Sequence, residues 1–140
     1  MNSLVKDVKD ELSSLGVKSD NLVEMQVPGC FELPVAVRYM ASAHKVDVVV
    51  TVGVLIKGET DHYHYIAQAV SNGIMDVQLT TALPVIFGVL TCGSEEQAKE
   101  RSIGDEALGR DWAKTAIEMA NLRATQIGSK ALGKKSVGFM

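Results

Sequence analysis

Gly58, Glu59, Thr60 and His62 follow closely on the apolar run Gly53-Val54-Leu55-Ile56. The run reads as the end of a buried strand, and the residues from Asp61 onward as a helix. A strand that turns straight into a helix can bind an anion. The first amides of a helix have no partner within it, and the helix dipole favours negative charge there. Gly58 lets the backbone approach a ligand closely. Thr60 can cap the helix or hydrogen-bond a ligand. His62 stands in the first turn, and an imidazole with a pKa near ~6.5 exchanges protons at neutral pH. The plain alternatives are an ordinary cap for Thr60 and a surface histidine at position 62, since strand–Gly–Thr–helix turns are common.

Other residues add to this set. Glu32 follows Cys30 and Phe31 in a tight Pro28-Gly29 turn. Its carboxylate can accept hydrogen bonds from a heterocycle or from hydroxyls, or it can simply favour a helix N-terminus. Arg101 ends the segment Gln97-Ala98-Lys99-Glu100-Arg101 and reads, on its own, as a solvated arginine. His44 and His64 read as surface residues, and Trp112 as a core or interface residue.

The elements that must position these residues follow from periodicity. Leu4, Val5, Val8, Leu12 and Leu15 recur at helical spacing, with Gly16 where a C-terminal cap belongs. Residues 22–27 read as a strand and 33–43 as a helix with Pro34 in its first turn. Residues 46–56 and 85–90 read as strands buried on both faces. A helix is expected over 61–78, another starts at the capping box Ser94-Glu95-Glu96-Gln97, and a third covers 109–126. Strands alternating with helices imply an α/β fold, a short parallel sheet flanked by helices in three layers. Ligands in such sheets sit beyond the carboxyl ends of the strands. Opening on a helix is unusual for this architecture, and it implies a strand upstream of Met1.

The chain of 140 residues fits one domain, residues 1–127, with 128–140 as a loose Gly/Lys/Ser-rich tail. A net charge of −3 gives no basic footprint for nucleic acid; Lys130, Lys134 and Lys135 read as a solvated tail. The longest apolar run, 48–56, is half of what a membrane span needs, and the N-terminus lacks the pattern of a signal peptide. Cys30 and Cys92 match no metal or disulfide spacing, so a reducing, cytoplasmic setting is expected.

Four blocks occur in order and at fitting spacing: VPGCFELP (27–34), GVLIKGETDHYHYI (53–66), PVIFGVLT (84–91) and EEQAKER (95–101). Together they resemble the 6,7-dimethyl-8-ribityllumazine synthases, over about residues 12–122. GVLIKG and the pair Asp111-Trp112 look closer to fungal members than to bacterial ones. The resemblance implies a flavodoxin-like fold and a transferase of riboflavin biosynthesis. Such an enzyme condenses 5-amino-6-(D-ribitylamino)uracil with 3,4-dihydroxy-2-butanone 4-phosphate and needs no cofactor or metal. It also implies a homopentamer or a larger shell, with riboflavin synthase as a further partner.

Residue by residue, the resemblance gives His62 the proton-transfer role. It gives Cys30, Phe31 and Glu32 the turn that holds the ribityl chain and pyrimidine, and Val54, Leu55 and Ile56 the strand end that contacts the pyrimidine. Glu59 and Thr60 fall on the phosphate-binding amides. Phe87 and Arg101 fall on residues contributed by the neighbouring subunit, Arg101 holding the phosphate. Two departures stand out. The family begins with a strand ending in an aromatic residue and Asn, which nothing before Met1 supplies. The segment 102–108 lacks the usual Asn-Lys-Gly or Asn-His-Gly ending, so a basic group near the phosphate is lost unless Arg110 substitutes. The alternatives are a subunit that assembles but catalyses poorly, and a phosphate-ligand module without catalysis.

Overall fold

The computed structural model describes residues 2–103 and 107–127, and the backbone of 137–139. Helix α1 (Asn2–Ser14) buries Leu4, Val8 and Leu12, one per turn. It stops at Gly16, whose φ of +94° lies where L side chains rarely go. Strand β1 spans Leu22–Glu24, and helix α2 spans Leu33–Ala43 with its proline in the first turn. Strand β2 (Val48–Ile56) leads to helix α3 (His62–Thr81), strand β3 (Val85–Cys92), helix α4 (Glu95–Ser102) and helix α5 (Gly109–Ile127). Ser94 caps α4 by accepting from the Gln97 amide at 3.2 Å, while the Gln97 side chain accepts from the Gly93 amide at 2.8 Å. The capping box therefore forms with its return bond displaced by one residue.

Every described strand pair is parallel, and the sheet order is β1-β4-β2-β3, where β4 is Val137–Phe139. Side-chain alternation along β2 and β3 splits the core into two faces. Val48, Val50, Val52, Ile86 and Leu90 pack under α1 and α5, with Ala113, Ala116 and Ala120 of α5 allowing close approach. Val49, Val85 and Val89 pack under α2 and α3, against Leu33, Val37, Met40, Val70 and Ile74. This is the three-layer α/β fold expected from the sequence. Thr51, fully buried in β2, donates to the Ile86 carbonyl at 2.8 Å and accepts from the Gly88 amide at 3.3 Å, so its hydroxyl is satisfied inside the sheet.

Two expectations differ from the structure. β1 was expected over 22–27 but ends at Glu24. A strand persists only where a neighbour continues the ladder, and the last described pair of this one is Glu24↔Phe139. The tail was expected over 128–140, yet Val137–Phe139 lie inside the sheet, paired with Leu22–Glu24 on one side and Val48–Val50 on the other. β4 thus lies between β1 and β2 although it comes from residues far along the chain from both. Residues 128–136, with their lysines, lie outside the described residues. No described helix is long and apolar enough to cross a membrane.

Candidate active site

The turn after β1 is built on a close contact. Gly29 is extended, Cys30–Glu32 form a single 3-10 turn, and Leu33 starts α2. This places Cys30 over β2. Its thiol donates to the Val54 carbonyl at 3.8 Å, and a methyl group on Gly53 would fall 2.7 Å from its sulfur. Glycine at 53 is what lets the turn sit down on the strand. Burial pushes the Cys30 thiol above its ordinary range; the nearby Glu32 carboxylate adds to this, and the Val54 hydrogen bond pulls against it.

The second part of the site is the passage from β2 to α3. Residues Lys57 to Asp61 are exposed, and Thr60 accepts from the His62 amide at 3.4 Å, so it does act as a local cap. Asp61 offers no side-chain cap, and the first turn of α3 contains no acidic residue. The unpaired amides of that first turn are the anion-binding element, with the carboxylates of Glu59 and Asp61 standing just before them. His62 itself is exposed at the rim.

These two segments enclose one cavity of about 360 Å³, lined by Gly29, Cys30, Phe31, Glu32, Leu55, Ile56, Gly58, Thr60, His62, Tyr63 and Ile66. Cys30, Phe31, Glu32, Leu55, Ile56, Thr60 and His62 were singled out from the sequence, and the fold brings them together. A larger cavity of about 630 Å³ adjoins it, sharing Gly29, Cys30 and Leu55 and adding Val54, the end of β1 and the start of α1. Tyr63 and Ile66 were not anticipated as lining residues. Their signal was available: Tyr63 follows His62 in the first turn, and Ile66 is one turn on. The Tyr63 ring meets that of His64 edge-on, with centroids 5.1 Å apart.

Comparison with known proteins is decisive for the family. The family model described as 6,7-dimethyl-8-ribityllumazine synthase matches residues 1–124. The chain belongs to the 6,7-dimethyl-8-ribityllumazine synthase family. A protein named 6,7-dimethyl-8-ribityllumazine synthase from Porphyromonas gingivalis is 42% identical over 120 residues, covering 85% of this chain and 74% of its own. One of the same name from Pyricularia oryzae is 37% identical, covering 83% of this chain and 78% of its own. A bacterial and a fungal relative are thus similarly close. Strand β4 lies beyond the stretch that the lumazine synthase family model matches.

Within this single lumazine synthase-family chain, other singled-out residues stand apart from the cavity. Phe87 lies on β3, 40% exposed, on the sheet face that carries α2 and α3. Arg101 is on α4, its guanidinium 3.9 Å from the Cys92 sulfur, and no carboxylate pairs with it among the described residues. Glu59 is exposed and lines neither cavity. Arg110, the substitute basic group, instead reaches Glu11 of α1 at 3.6 Å. At the start of α5 it pairs across to the neighbouring α1, its side chain 61% exposed.

Proposed function

We propose that the chain is a working lumazine synthase, condensing 5-amino-6-(D-ribitylamino)uracil with 3,4-dihydroxy-2-butanone 4-phosphate to 6,7-dimethyl-8-ribityllumazine. The observation that carries this reading is the single cavity that unites the Cys30–Glu32 turn, the end of β2 and the start of α3. The substrate brings its own amine nucleophile. It attacks the ketone, water leaves to give a Schiff base, phosphate is eliminated, and ring closure releases a second water. The protein must hold two substrates together, receive a phosphate and move protons. Positioning alone supplies a large part of such a rate.

In this reading the pyrimidine lies against Val54, Leu55 and Ile56, and the turn of Cys30, Phe31 and Glu32 holds the ribityl chain and the pyrimidine. Amides near Glu59 and Thr60 take the phosphate, and His62 moves the protons. Phe87 and Arg101 complete the site of an adjacent copy in a homopentamer or larger shell. Their distance from this chain's own cavity is consistent with such sharing. So is the exposure of Phe31, Val35, Tyr39, Tyr65 and Leu79, apolar surface of the kind that subunit contacts cover. Steady-state assay of lumazine formation from the two substrates tests the activity, and light scattering on the same sample tests the assembly. An assembled protein that forms no lumazine would favour a purely structural subunit, and a monomer of about 15.0 kDa would overturn the shared site.

A further inference from the structure

β4 is short, lies between two strands, and comes from a part of the chain outside the family match. It makes three register pairs on each side. Among the described residues it is the one strand that pairs with β1, so β1 reaches the rest of the sheet only through it. β2, by contrast, runs on past the last pair, Val50↔Phe139, to Ile56.

The direction of the β2 backbone groups shows what lies beyond. The Val49 amide donates to the Pro84 carbonyl at 3.0 Å, and the Lys57 amide to the Cys92 carbonyl at 2.8 Å, so odd-numbered residues of β2 face β3. In a parallel strand alternate residues present both groups to opposite neighbours. Val48 and Val50 therefore face β4, with Gly138 between them in register. Val52 and Val54 face the space above β4, which is the larger cavity, walled opposite by Glu24 to Val27. There the Val54 carbonyl takes the Cys30 thiol. The slot between β1 and β2 is thus longer than the strand that fills it: β4 occupies the inner half, and the cavity is the outer half.

We propose that Val137–Phe139 is a removable insert strand whose seating joins β1 to the sheet and closes the inner end of the larger cavity. Short strands with few ladder bonds belong to the low-stability end of a fold. The insert opens as a unit with β1, while β2 and β3 stay paired. Resting on the lumazine synthase reading, seating also shapes the wall that meets the pyrimidine.

Backbone amide exchange on the full chain tests this. In the unmodified protein, residues 22–24 and 137–139 should exchange together, at least ~10-fold faster than the amides of β3. Gly138→Pro removes the amide that lies between Val48 and Val50. In that full-length variant residues 22–24 should exchange like a loop, β3 should remain protected, and a labelled synthetic peptide of residues 134–140 should bind. It should not bind the unmodified chain. Unchanged protection of 22–24 in the variant overturns the proposal, as does exchange of 137–139 no faster than β3 in the unmodified chain. The KM for the pyrimidine should rise in the variant and that for the butanone phosphate should not. Inactivity of the unmodified chain counts against the enzyme reading alone, since exchange decides the strand without it.

Discussion

Cys30 stands directly on Gly53: a methyl group built on that glycine would lie 2.7 Å from the sulfur. The turn that carries Phe31 and Glu32 is therefore seated on β2 at one point. Gly53→Ala should displace Cys30 and lift the turn. Overpacking of this kind costs ~1–3 kcal/mol, readable as a lowered urea midpoint. The KM for the pyrimidine should rise as well. Gly53→Ala/Cys30→Gly, which clears the space, should recover part of the stability; a double variant no more stable than the single one would count against this contact.

The same thiol should resist modification. Burial and Glu32 hold its pKa above the ordinary value of 9.0. The folded state therefore keeps its proton where the unfolded chain has lost it. The resulting contribution to stability is complete below the unfolded pKa and is lost as pH rises through the folded one. Alkylation followed by peptide mass analysis should find Cys30 slower than a free cysteine at pH 8, and denaturant titrations should show stability falling at alkaline pH. Cys30→Ser should flatten that fall.

Arg101→Ala should raise the KM for the butanone phosphate ~10- to 150-fold, the weight of a charge-assisted contact of ~1.5–3 kcal/mol, with far less effect on the pyrimidine. Arg101→Lys should restore part of the loss, because lysine lacks the bidentate fork. Mixed assemblies provide the sharper check. If the arginine serves the neighbour's site, an Arg101→Ala chain and a His62→Ala chain combined should show more activity than either assembly alone.

His62→Ala should slow turnover by ~10- to 1000-fold, near the usual range for acid–base assistance, without abolishing it. The side chain is exposed at the cavity rim, so its loss should leave the rest of the lining in place. Substrate affinities should therefore stay near those of the unmodified chain. A variant with no measurable turnover would mean that positioning supplies only a small part of the rate.

Much of this architecture was legible in the sequence because it repeats. Leu4, Val8 and Leu12 announce α1, and the β-branched run before Gly58 announces β2. Most residues of the cavity were legible too, since they sit where strands end and helices begin. Three features were not. Val137-Gly138-Phe139 is too short to show a period, and its partners, Leu22–Glu24 and Val48–Val50, are remote in sequence. The contact of Cys30 with Gly53 exists only once the turn is folded over the strand. The pairing of Arg110 with Glu11 depends on α1 and α5 lying side by side, which neither helix's own pattern specifies.

The insertion of β4 between β1 and β2 also orders events in time. Leu22 and Val137 lie near opposite ends of the chain, yet they are neighbours in the sheet. A ribosome delivers one long before the other. Helices and the β2–β3 pair can form as they emerge, but the gap between β1 and β2 stays vacant until residues 137–139 leave the exit tunnel. Closing a loop that long is slow relative to local pairing. Until then the nascent protein carries an open, valine-lined strand edge at its centre. It falls to residues 137–139 to cover that edge before another chain does.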